Sequence, residues 1–515
     1  MMFKRSWPSI PTSLFLIVLI GVLVGATTVL AEGGDGEQEE DSVQVKPGVE
    51  VFLDDHLDWI EGKRVGLATN MTGVDRDLNS TIDLLYEHPD VDLTALYGPE
   101  HGIRGNQEAG EYVESYTDER TGLPVYSLYG PTWEPTEEML EDVDVLIYDI
   151  QDIGSNVYTY IYTLGFIMEA AAEHDKSVIV LDRPNAIGGE HVEGPVREQE
   201  SVSFMGDFLL PVRHGMTAGE LATMWKDEHD LNIDLKVAEM DGWERDMHFE
   251  DTGLPWVMTS PNIPTPDSAT LYTGTILVAN STLSDGLGTT RPFELVGAPW
   301  IDAEELAEEM EQRDIEGVSF RPAYFDPMYD MYEGEIVGGV QVHIENESAI
   351  EVVQLGLELA TAMRDQDPDK YELDDDYNEL IGSKEAQEML SDGAEAEDII
   401  ATWKGDLNTW IEDVRNQYLL YPPHPSDPIS TEDIQGVVTD LEESGDIIDD
   451  DAVHDMQLHL RAVSQYENQE DGDTVIQHIG GFQDLLEHQL DNELISEEAY
   501  DDLHSQSEQL IEQWE

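Results

Sequence analysis

With 515 residues, 40% of them hydrophobic, the chain is too long for one compact core, so two or three domains are expected. Its 113 acidic residues against 24 basic ones give a formal net charge of -89, which excludes a nucleic-acid binder because phosphate contacts require clustered Lys and Arg. The lack of cysteine excludes disulfides and a lipoprotein anchor, and the acidic excess predicts a salt-rich environment that screens self-repulsion.

The N-terminal segment, residues 1–31, has the pattern of a secretory signal peptide. Lys4 and Arg5 precede an apolar stretch from Leu14 to Val24, and Val29-Leu30-Ala31 is a plausible cleavage site. The alternative is an uncleaved membrane anchor, since the apolar stretch approaches spanning length if residues 27–30 are included. We expect a secreted or cell-wall-associated protein, with residues 32–49 as an acidic linker.

Residues 50–265 alternate between short apolar runs and amphipathic stretches, which predicts an α/β domain with a Rossmann-like parallel sheet between helices. The predicted strands are Arg64–Asn70, Leu93–Gly98, Pro124–Tyr129, Val143–Ile150 and Ser177–Asp182, and the predicted helices are Ser80–Glu87 and Tyr158–His174. Ser80 and Asp83 have the spacing of a capping box. The first strand is not followed by a Gly-x-Gly-x-x-Gly turn, so no dinucleotide and no other cofactor is expected.

Residues 266–422 are less regular and predict a smaller α+β domain. Its predicted elements are the strand Gly338–Asn346 and the helices Val352–Arg364, Ser383–Leu390 and Ala396–Tyr418. A Pro-rich linker follows over residues 423–429. Apolar residues at helical spacing then predict a C-terminal helical bundle module over residues 430–515.

Carboxylates stand in three loops that follow predicted strands: GPEHGIRG (98–105), DIQDIG (149–154), and DRPN (182–185) with VEGP (192–195). Because the carboxyl ends of parallel strands meet at one edge of a sheet, these loops are expected to converge. Paired carboxylates in a cleft are typical of glycoside hydrolases, in which one carboxyl protonates the leaving oxygen. Glu100 is the first candidate for that acid, with Asp149, Asp152 or Glu193 assisting. The alternative is that Glu100 caps a helix or pairs with Arg104.

The segment from Asp75 to Asn79 begins with the spacing of a calcium loop. However, Ser80 stands where the turn glycine belongs, and Tyr86 stands where the bidentate glutamate belongs. The start of a helix is therefore favoured, and no metal site is expected.

The carboxylate loops are part of a longer series of motifs that resembles the NamZ (YbbC-like) family of exo-β-N-acetylmuramidases. The series continues with YTYIYT (158–163), PVRHGMTAGELA (211–222), MDGWERDM (240–247), TGLPWV (252–257), SPNIPT (260–265) and GTTRPFELVGAPWID (288–302). The resemblance implies a site in the cleft between a Rossmann-like domain and a smaller domain. It also implies an enzyme that releases terminal N-acetylmuramic acid from the non-reducing end of peptidoglycan-derived MurNAc-GlcNAc saccharides, with Glu100 as the catalytic residue.

The substrate of that family carries a lactyl carboxylate, so the resemblance implies a cation in the pocket. Arginine suits this role because its planar fork holds a carboxylate through two hydrogen bonds. Arg104, Arg183, Arg213 and Arg291 lie within the matching segments, and pairing with Asp or Glu of the loops is their alternative role. The other residues expected at the substrate are His101, Tyr158, Tyr160, Asp182, Asn185, His214 and Asn262. A structural role is the alternative for the two histidines, and helix packing is the alternative for the two tyrosines.

The sequence departs from the family pattern in three places. Val278-Ala279-Asn280-Ser281-Thr282 replaces the usual Phe-Glu-Gly-Thr-Asn, Leu287 stands where an arginine is usual, and Asn156 replaces another usual arginine. If the glutamate missing at position 279 contacts substrate, activity or specificity changes. The alternative function is therefore a non-catalytic muropeptide-binding protein with a degenerate active site.

The C-terminal module resembles the FIMAH domain, a helical module of secreted bacterial enzymes. The matching segments are 443–447 (ESGDI), 495–499 (ISEEA) and 510–512 (LIE). The resemblance implies attachment or positioning at the cell wall, not chemistry.

Overall fold

The computed structural model describes residues 44–107, 110, 112–201, 208–421, 431–444, 447, 450–467, 472–491 and 494–514. The predicted signal peptide, most of the acidic linker and the Pro-rich linker lie outside these residues. Within the described ranges, no helix has both the length and the apolar character needed to cross a membrane.

The first domain is built on a sheet of seven strands, and the predicted α/β class is confirmed. Its strands are β1 (Arg64–Thr69), β2 (Asp92–Gly98), β3 (Tyr116–Thr117), β4 (Pro124–Ser127), β5 (Val145–Asp149), β6 (Ser177–Leu181) and β7 (Leu235–Ala238). The strand order is β3-β4-β2-β1-β5-β6-β7, and every pair is parallel except β3 with β4. The chain runs outward from β1 through β2 and then returns to β5 on the other side of β1. Ligand sites in such sheets lie beyond the carboxyl ends of the strands near this reversal.

Helices pack on both faces of the sheet. They are α1 (Gly48–Asp55), α2 (Thr81–Glu87), α3 (Tyr160–Glu173) and α4 (Ala218–Glu228). One buried apolar cluster joins α3 and α4 to the sheet, and a second joins α1 and α2 to it. The predicted strands and helices of this domain lie within two residues of the observed bounds.

Helix capping in the first domain differs from the prediction. The expected capping box at Ser80 is wrong, because the Ser80 side chain makes no cap. The hydroxyl of the next residue, Thr81, donates instead to Asp149 Oδ2 at 2.5 Å. A capping box opens α4 instead, where Glu220 N donates to Thr217 Oγ1 and Thr217 N donates to Glu220 Oε2.

The second domain combines a small antiparallel sheet with seven helices. Its elements are α5 (Pro266–Thr275), β8 (Leu295–Ala298), α6 (Ala303–Gln312), β9 (Val318–Phe325), β10 (Val337–Ile344), α7 (Val352–Gln366), α8 (Tyr377–Ile381), α9 (Lys384–Ser391), α10 (Ala396–Ile400) and α11 (Lys404–Asp413). The strand order is β8-β10-β9. The single helix predicted over Ala396–Tyr418 is wrong, since α10 and α11 are separate and a 3-10 turn follows. The break allows Trp403 to pack in the core of this domain while Trp410 packs in that of the first.

The C-terminal module has four helices within its described residues, and the predicted helical bundle is confirmed. They are α12 (Thr431–Ser444), α13 (Asp450–Glu467), α14 (Gly472–Asp491) and α15 (Glu497–Trp514). Their apolar faces share one buried cluster that includes Ile434, Met456, Phe482 and Leu503. The periodicity of the sequence therefore becomes a helical bundle.

A backbone contact between two glycines brings α5 against α7. A Cβ atom on Gly274 would lie 1.9 Å from Val352 O, and one on Gly356 would lie 2.1 Å from Gly274 O. The helices therefore touch at a distance that no larger residue permits. This contact fixes α5, which carries Tyr272, at the edge of the cleft described below.

We predict that Gly356→Ala lowers the free energy of unfolding by about 1–3 kcal/mol, because the added methyl group overpacks the α5–α7 contact. The matched control is Gly405→Ala in α11, where a Cβ would meet no atom within 4 Å. Because alanine is the better helix former, we expect that control to be neutral or to stabilise by up to about 1 kcal/mol. Urea unfolding followed by tryptophan fluorescence measures both, and equal midpoints would contradict the prediction.

Candidate active site

A cleft of about 280 Å³ opens beyond the carboxyl ends of β2, β4 and β5 and is closed on the far side by the second domain. The first domain lines it with Glu100, His101, Gly110, Tyr129, Val157, Tyr158, Thr159, Tyr160, Ser260, Asn262 and Ile263, and the second domain with Tyr272, Ile276, Leu287 and Phe293. Rings and aliphatic side chains thus surround a few convergent polar groups, as is usual for small-molecule sites.

Glu100 is the carboxylate of this cleft. It follows β2 on a turn in which His101 and Gly102 both have left-handed backbone conformations, with φ of 66° and 68°. Its Oε1 accepts from Gly110 N at 2.8 Å and its Oε2 accepts from Thr159 Oγ1 at 2.8 Å. Burial, and then the nearby charge of Glu100, raise the pKa of the Tyr129 phenol above its usual range. Glu100 therefore neither pairs with Arg104 nor caps a helix through a backbone amide; neutral donors fix a largely buried carboxylate in the cleft.

Tyrosine rings form the wall around Glu100. The Tyr158 hydroxyl donates to Thr259 Oγ1 at 2.8 Å and the Tyr160 hydroxyl donates to Thr259 O at 2.5 Å, so the structure turns both hydroxyls toward the protein. The Tyr158 ring meets those of Tyr160 and Tyr272 edge-on, with centroids 5.0 and 5.8 Å apart. Burial raises the pKa of each of these phenols well above its usual range. The three phenols therefore stay neutral. They provide ring surface to the cleft and do not act as bases.

Asp149, one of the predicted catalytic carboxylates, forms an internal ion pair with Arg183. It is fully buried, and its oxygens accept from Arg183 Nε at 2.5 Å and Arg183 Nη2 at 3.0 Å as well as from Thr81. Arg183 also donates to Val74 O at 2.8 Å. Neither residue of this ion pair is among those that line the cleft.

Glu193 and Arg213 form a second internal pair. Arg213 Nη1 lies 2.9 Å from Glu193 Oε1, and both residues are buried. Glu193 Oε2 accepts from Val353 N at 2.8 Å, and Arg213 donates to Ile350 O at 3.2 Å. The pair therefore ties the first domain to the start of α7 and does not line the cleft.

Asp152 and His214 lie buried together behind the tyrosine wall. Asp152 Oδ2 accepts from Gly154 N at 2.7 Å and is 3.7 Å from His214 Nε2, while His214 Nδ1 accepts from Met216 N at 3.1 Å. Asp152 Oδ1 and His214 Nε2 have no hydrogen-bond partner within the described part of the chain. The carboxylate contributes to the raised pKa of Tyr158 and Tyr160 but is not a lining residue.

Asp182 and Asn185 hold the loop after β6. Asp182 accepts from Thr217 Oγ1 and from the Tyr421 hydroxyl, each at 2.7 Å, and from Gly219 N at 2.9 Å. Burial raises the pKa of Asp182 to about 6. Asn185 accepts from Ile187 N and donates to Met216 O. The structure places both in turns and not in the cleft.

The remaining predicted substrate residues divide between the cleft and the surface. His101 and Asn262 line the cleft; His101 Nδ1 is 2.9 Å from Gln107 O. Arg104 pairs with Asp118 at 2.9 Å, and Arg291 pairs with Glu294 at 3.0 Å. All four predicted arginines are therefore engaged in ion pairs, and the described lining residues include neither Lys nor Arg.

Of the three departures from the family pattern, Leu287 lines the cleft. Asn156 is fully buried and donates to Leu210 O at 2.8 Å. Ala279 ends the 3-10 turn after α5, where its N–H donates to Ile276 O. Asp285, which precedes Leu287, accepts from Leu287 N at 3.2 Å, and burial raises its pKa to about 6. The Asp285 side chain therefore stabilises the turn that carries Leu287.

Several lining residues were not predicted from the sequence. Tyr129 follows β4 as Glu100 follows β2, so the rule that sites lie at strand ends would have identified it. Thr159 lies inside the YTYIYT motif (158–163), in which only tyrosines are predicted to contact the substrate. Tyr272 and Phe293 come from the second domain, and the sequence offers no local pattern that places them beside Glu100.

Comparison with known proteins agrees with this geometry. Residues 65–267 match the family model described as exo-beta-N-acetylmuramidase NamZ, N-terminal, residues 270–421 match its C-terminal counterpart, and residues 431–512 match the FIMAH domain. The chain is 42% identical over 403 residues to the peptidoglycan beta-N-acetylmuramidase NamZ of Bacillus subtilis (strain 168), covering 78% of this chain and 97% of that protein.

Two crystal structures of DUF1343 family proteins from Bacteroides fragilis NCTC 9343 are similar in fold. The first has a TM-score of 0.69 and 42% identity, and the second has a TM-score of 0.58 and 27% identity. Each match covers 74% of this chain and 100% of the crystallised chain.

We predict that Asp149→Asn and Glu100→Gln differ in their effect on stability. Asp149→Asn leaves the buried Arg183 cation without a counter-charge, so the free energy of unfolding should fall by about 3–5 kcal/mol. Glu100→Gln keeps an oxygen that can accept from Gly110 N or Thr159 and should change it by less than about 1 kcal/mol. Urea unfolding in concentrated salt compares them, and equal losses would contradict the distinction.

Proposed function

The chain belongs to the NamZ family of exo-β-N-acetylmuramidases, and we propose that it is a glycosidase releasing terminal N-acetylmuramic acid from the non-reducing end of peptidoglycan fragments. The observation that carries this proposal is Glu100, a carboxylate at the base of an aromatic cleft beyond the carboxyl ends of the strands. A carboxylate held among rings in a small cleft suits the binding and cleavage of one sugar at a chain end.

Glu100 is the proposed acid. In its protonated form it donates a proton to the glycosidic oxygen as the bond from that oxygen to the anomeric carbon breaks, and it then deprotonates the incoming water. The hydrogen bonds to Glu100 from Gly110 N and Thr159 fix the position of the carboxyl group. Glu100 is the one carboxylate among the described lining residues, which favours participation of the substrate's own N-acetyl group over a second protein nucleophile.

Neutral donors are the proposed partners of the lactyl carboxylate. Ser260, Asn262 and the His101 ring are polar lining groups beside Glu100 and Thr159, and the four predicted arginines are all committed to ion pairs. Hydrogen bonds from neutral groups to a carboxylate are weaker than those from a guanidinium, yet they remain effective in a buried site.

We predict that the native protein hydrolyses para-nitrophenyl β-N-acetylmuramic acid in concentrated salt and that Glu100→Gln lowers kcat by about 10²- to 10⁴-fold, the usual effect of losing a general acid. The matched control is Asp152→Asn, since Asp152 lies behind the tyrosine wall. We expect that variant to stay within about tenfold of the native rate.

The outcomes of this experiment distinguish a glycosidase from a non-catalytic muropeptide-binding protein. An equal loss in both variants would contradict the assignment of the acid to Glu100 alone. A folded native protein that binds N-acetylmuramic acid without turnover would overturn the enzyme in favour of a muropeptide-binding protein.

We also propose that the enzyme acts outside the cell in concentrated salt, with the C-terminal module holding it at the cell wall. The signal-peptide pattern of residues 1–31 and the net charge of -89 support the location and the salt. The match of residues 431–512 to the FIMAH domain supports a separate positioning module.

We predict that the unfolding temperature rises steeply with NaCl, with most of the rise complete near 1 M, where the Debye length is about 3 Å. Screening of acidic self-repulsion is the cause, so KCl at equal ionic strength should give the same curve. Differential scanning calorimetry measures it. An unfolding temperature that is independent of salt would contradict the proposal.

A further inference from the structure

The loop between β9 and β10, residues 326–336, exposes apolar side chains beside the cleft. Met328 is 82% exposed, Ile336 71% and Tyr329 51%. Of the twelve exposed large hydrophobic residues in the described chain, four lie in this loop. A local apolar concentration on so acidic a protein indicates a binding surface.

Backbone contacts fix this loop against the wall of the cleft. Met328 N donates to Gly288 O at 2.9 Å, and Gly288 directly follows the lining residue Leu287. Gly288 has a left-handed φ of 78°, and a Cβ atom there would lie 2.2 Å from Tyr329 O. The close approach therefore requires glycine and leaves the loop little freedom to shift.

Tyr329 is attached to the opposite side of the same cleft. Its hydroxyl donates to Asn262 Oδ1 at 2.7 Å, and Asn262 is a lining residue from the first domain. The ring is thereby held at both ends, by its backbone and by its hydroxyl, while half of its surface stays open. A rigid aromatic side chain with an open surface binds a flat apolar surface at low entropic cost.

Resting on the proposed function, we propose that Tyr329, flanked by Met328, binds the sugar on the leaving-group side of the scissile bond, the N-acetylglucosamine unit of the fragment. The cleft volume of about 280 Å³ is at the small end of ligand sites, which suits a single terminal sugar. The rest of an exo-cleaved fragment must then leave through the mouth, beside Asn262 and Tyr329. On this acidic surface, an uncharged ring is better suited to the carbon–hydrogen face of a neutral sugar than to an anionic group.

The test compares two ligands by calorimetry in a Glu100→Gln background, which binds without cleavage. Free N-acetylmuramic acid fills only the cleft, whereas the disaccharide MurNAc-GlcNAc also reaches Tyr329. We expect Tyr329→Ala to weaken disaccharide binding by about 2- to 12-fold, the range for an aromatic contact, and to leave N-acetylmuramic acid unchanged. Tyr329→Phe keeps the ring but loses the hydrogen bond to Asn262, so it is the reference for that bond; we expect it to bind the disaccharide more tightly than Tyr329→Ala does.

The matched control is Tyr324→Ala. Tyr324 is 60% exposed on β9, but its hydroxyl donates to Glu304 at 2.5 Å, so it belongs to another part of the domain. Equal weakening of both ligands by Tyr329→Ala, or no weakening of either, would overturn the subsite. A dimer that Tyr329→Ala converts to monomer, with sugar affinity unchanged, would assign the patch to a second copy and overturn it as well. If the native protein does not cleave the disaccharide, the proposed function fails, while a selective loss of disaccharide affinity in Tyr329→Ala still supports the subsite.

Discussion

Buried arginines connect the two domains of the core, and residues from both domains line the cleft. Arg213 joins Glu193 to Ile350 O, and Arg197 donates to Glu379 O at 2.6 Å. Arg415 reaches back from the end of the second domain to Gly189 O, and its burial lowers its pKa to about 10. A buried cation that loses its partners costs several kcal/mol, so each of these contacts stabilises the packing of one domain on the other. They fix the second domain against the first.

The chemistry of the cleft follows from that fixed arrangement. Glu100 comes from the first domain, whereas Tyr272, Leu287 and Phe293 approach it from the second. The Tyr272 hydroxyl donates to Val157 O at 2.9 Å, so the wall is joined across the domain boundary at the depth of the carboxylate. These rings are neutral and tightly packed. The site therefore recognises a sugar through the shape of the cleft and through one carboxyl group, that of Glu100. A shift of one domain relative to the other would change the shape of the cleft and the surroundings of the carboxyl group at the same time.

The sequence predicted the sheet and Glu100 because both depend on local pattern and on the rule for strand ends. For the arginines it left two kinds of partner open, the substrate or an Asp or Glu of the loops, for a different reason. Arg213 and Arg183 stand in motifs at strand ends, where a substrate contact and an internal ion pair have the same sequence pattern. Their partners are 20 and 34 residues away in the chain, and Arg415 meets Gly189 across 226 residues. Such pairings are fixed by the tertiary fold, as is the break between α10 and α11.

The acidic surface limits the contacts by which the protein can recognise an anionic substrate. Concentrated salt shortens the Debye length to a few Å and so weakens exposed ion pairs, while buried pairs such as Arg183–Asp149 are screened much less. Long-range attraction of an anionic fragment to a protein of net charge -89 is excluded in any medium. Capture of the substrate must therefore rely on contacts that ionic strength leaves intact, namely ring surface, hydrogen bonds from neutral donors and apolar side chains. The tyrosine wall and the Met328–Tyr329 loop are the surfaces that we propose for these contacts, and the proposed salt-rich medium favours the same kind of surface as recognition of the glycan.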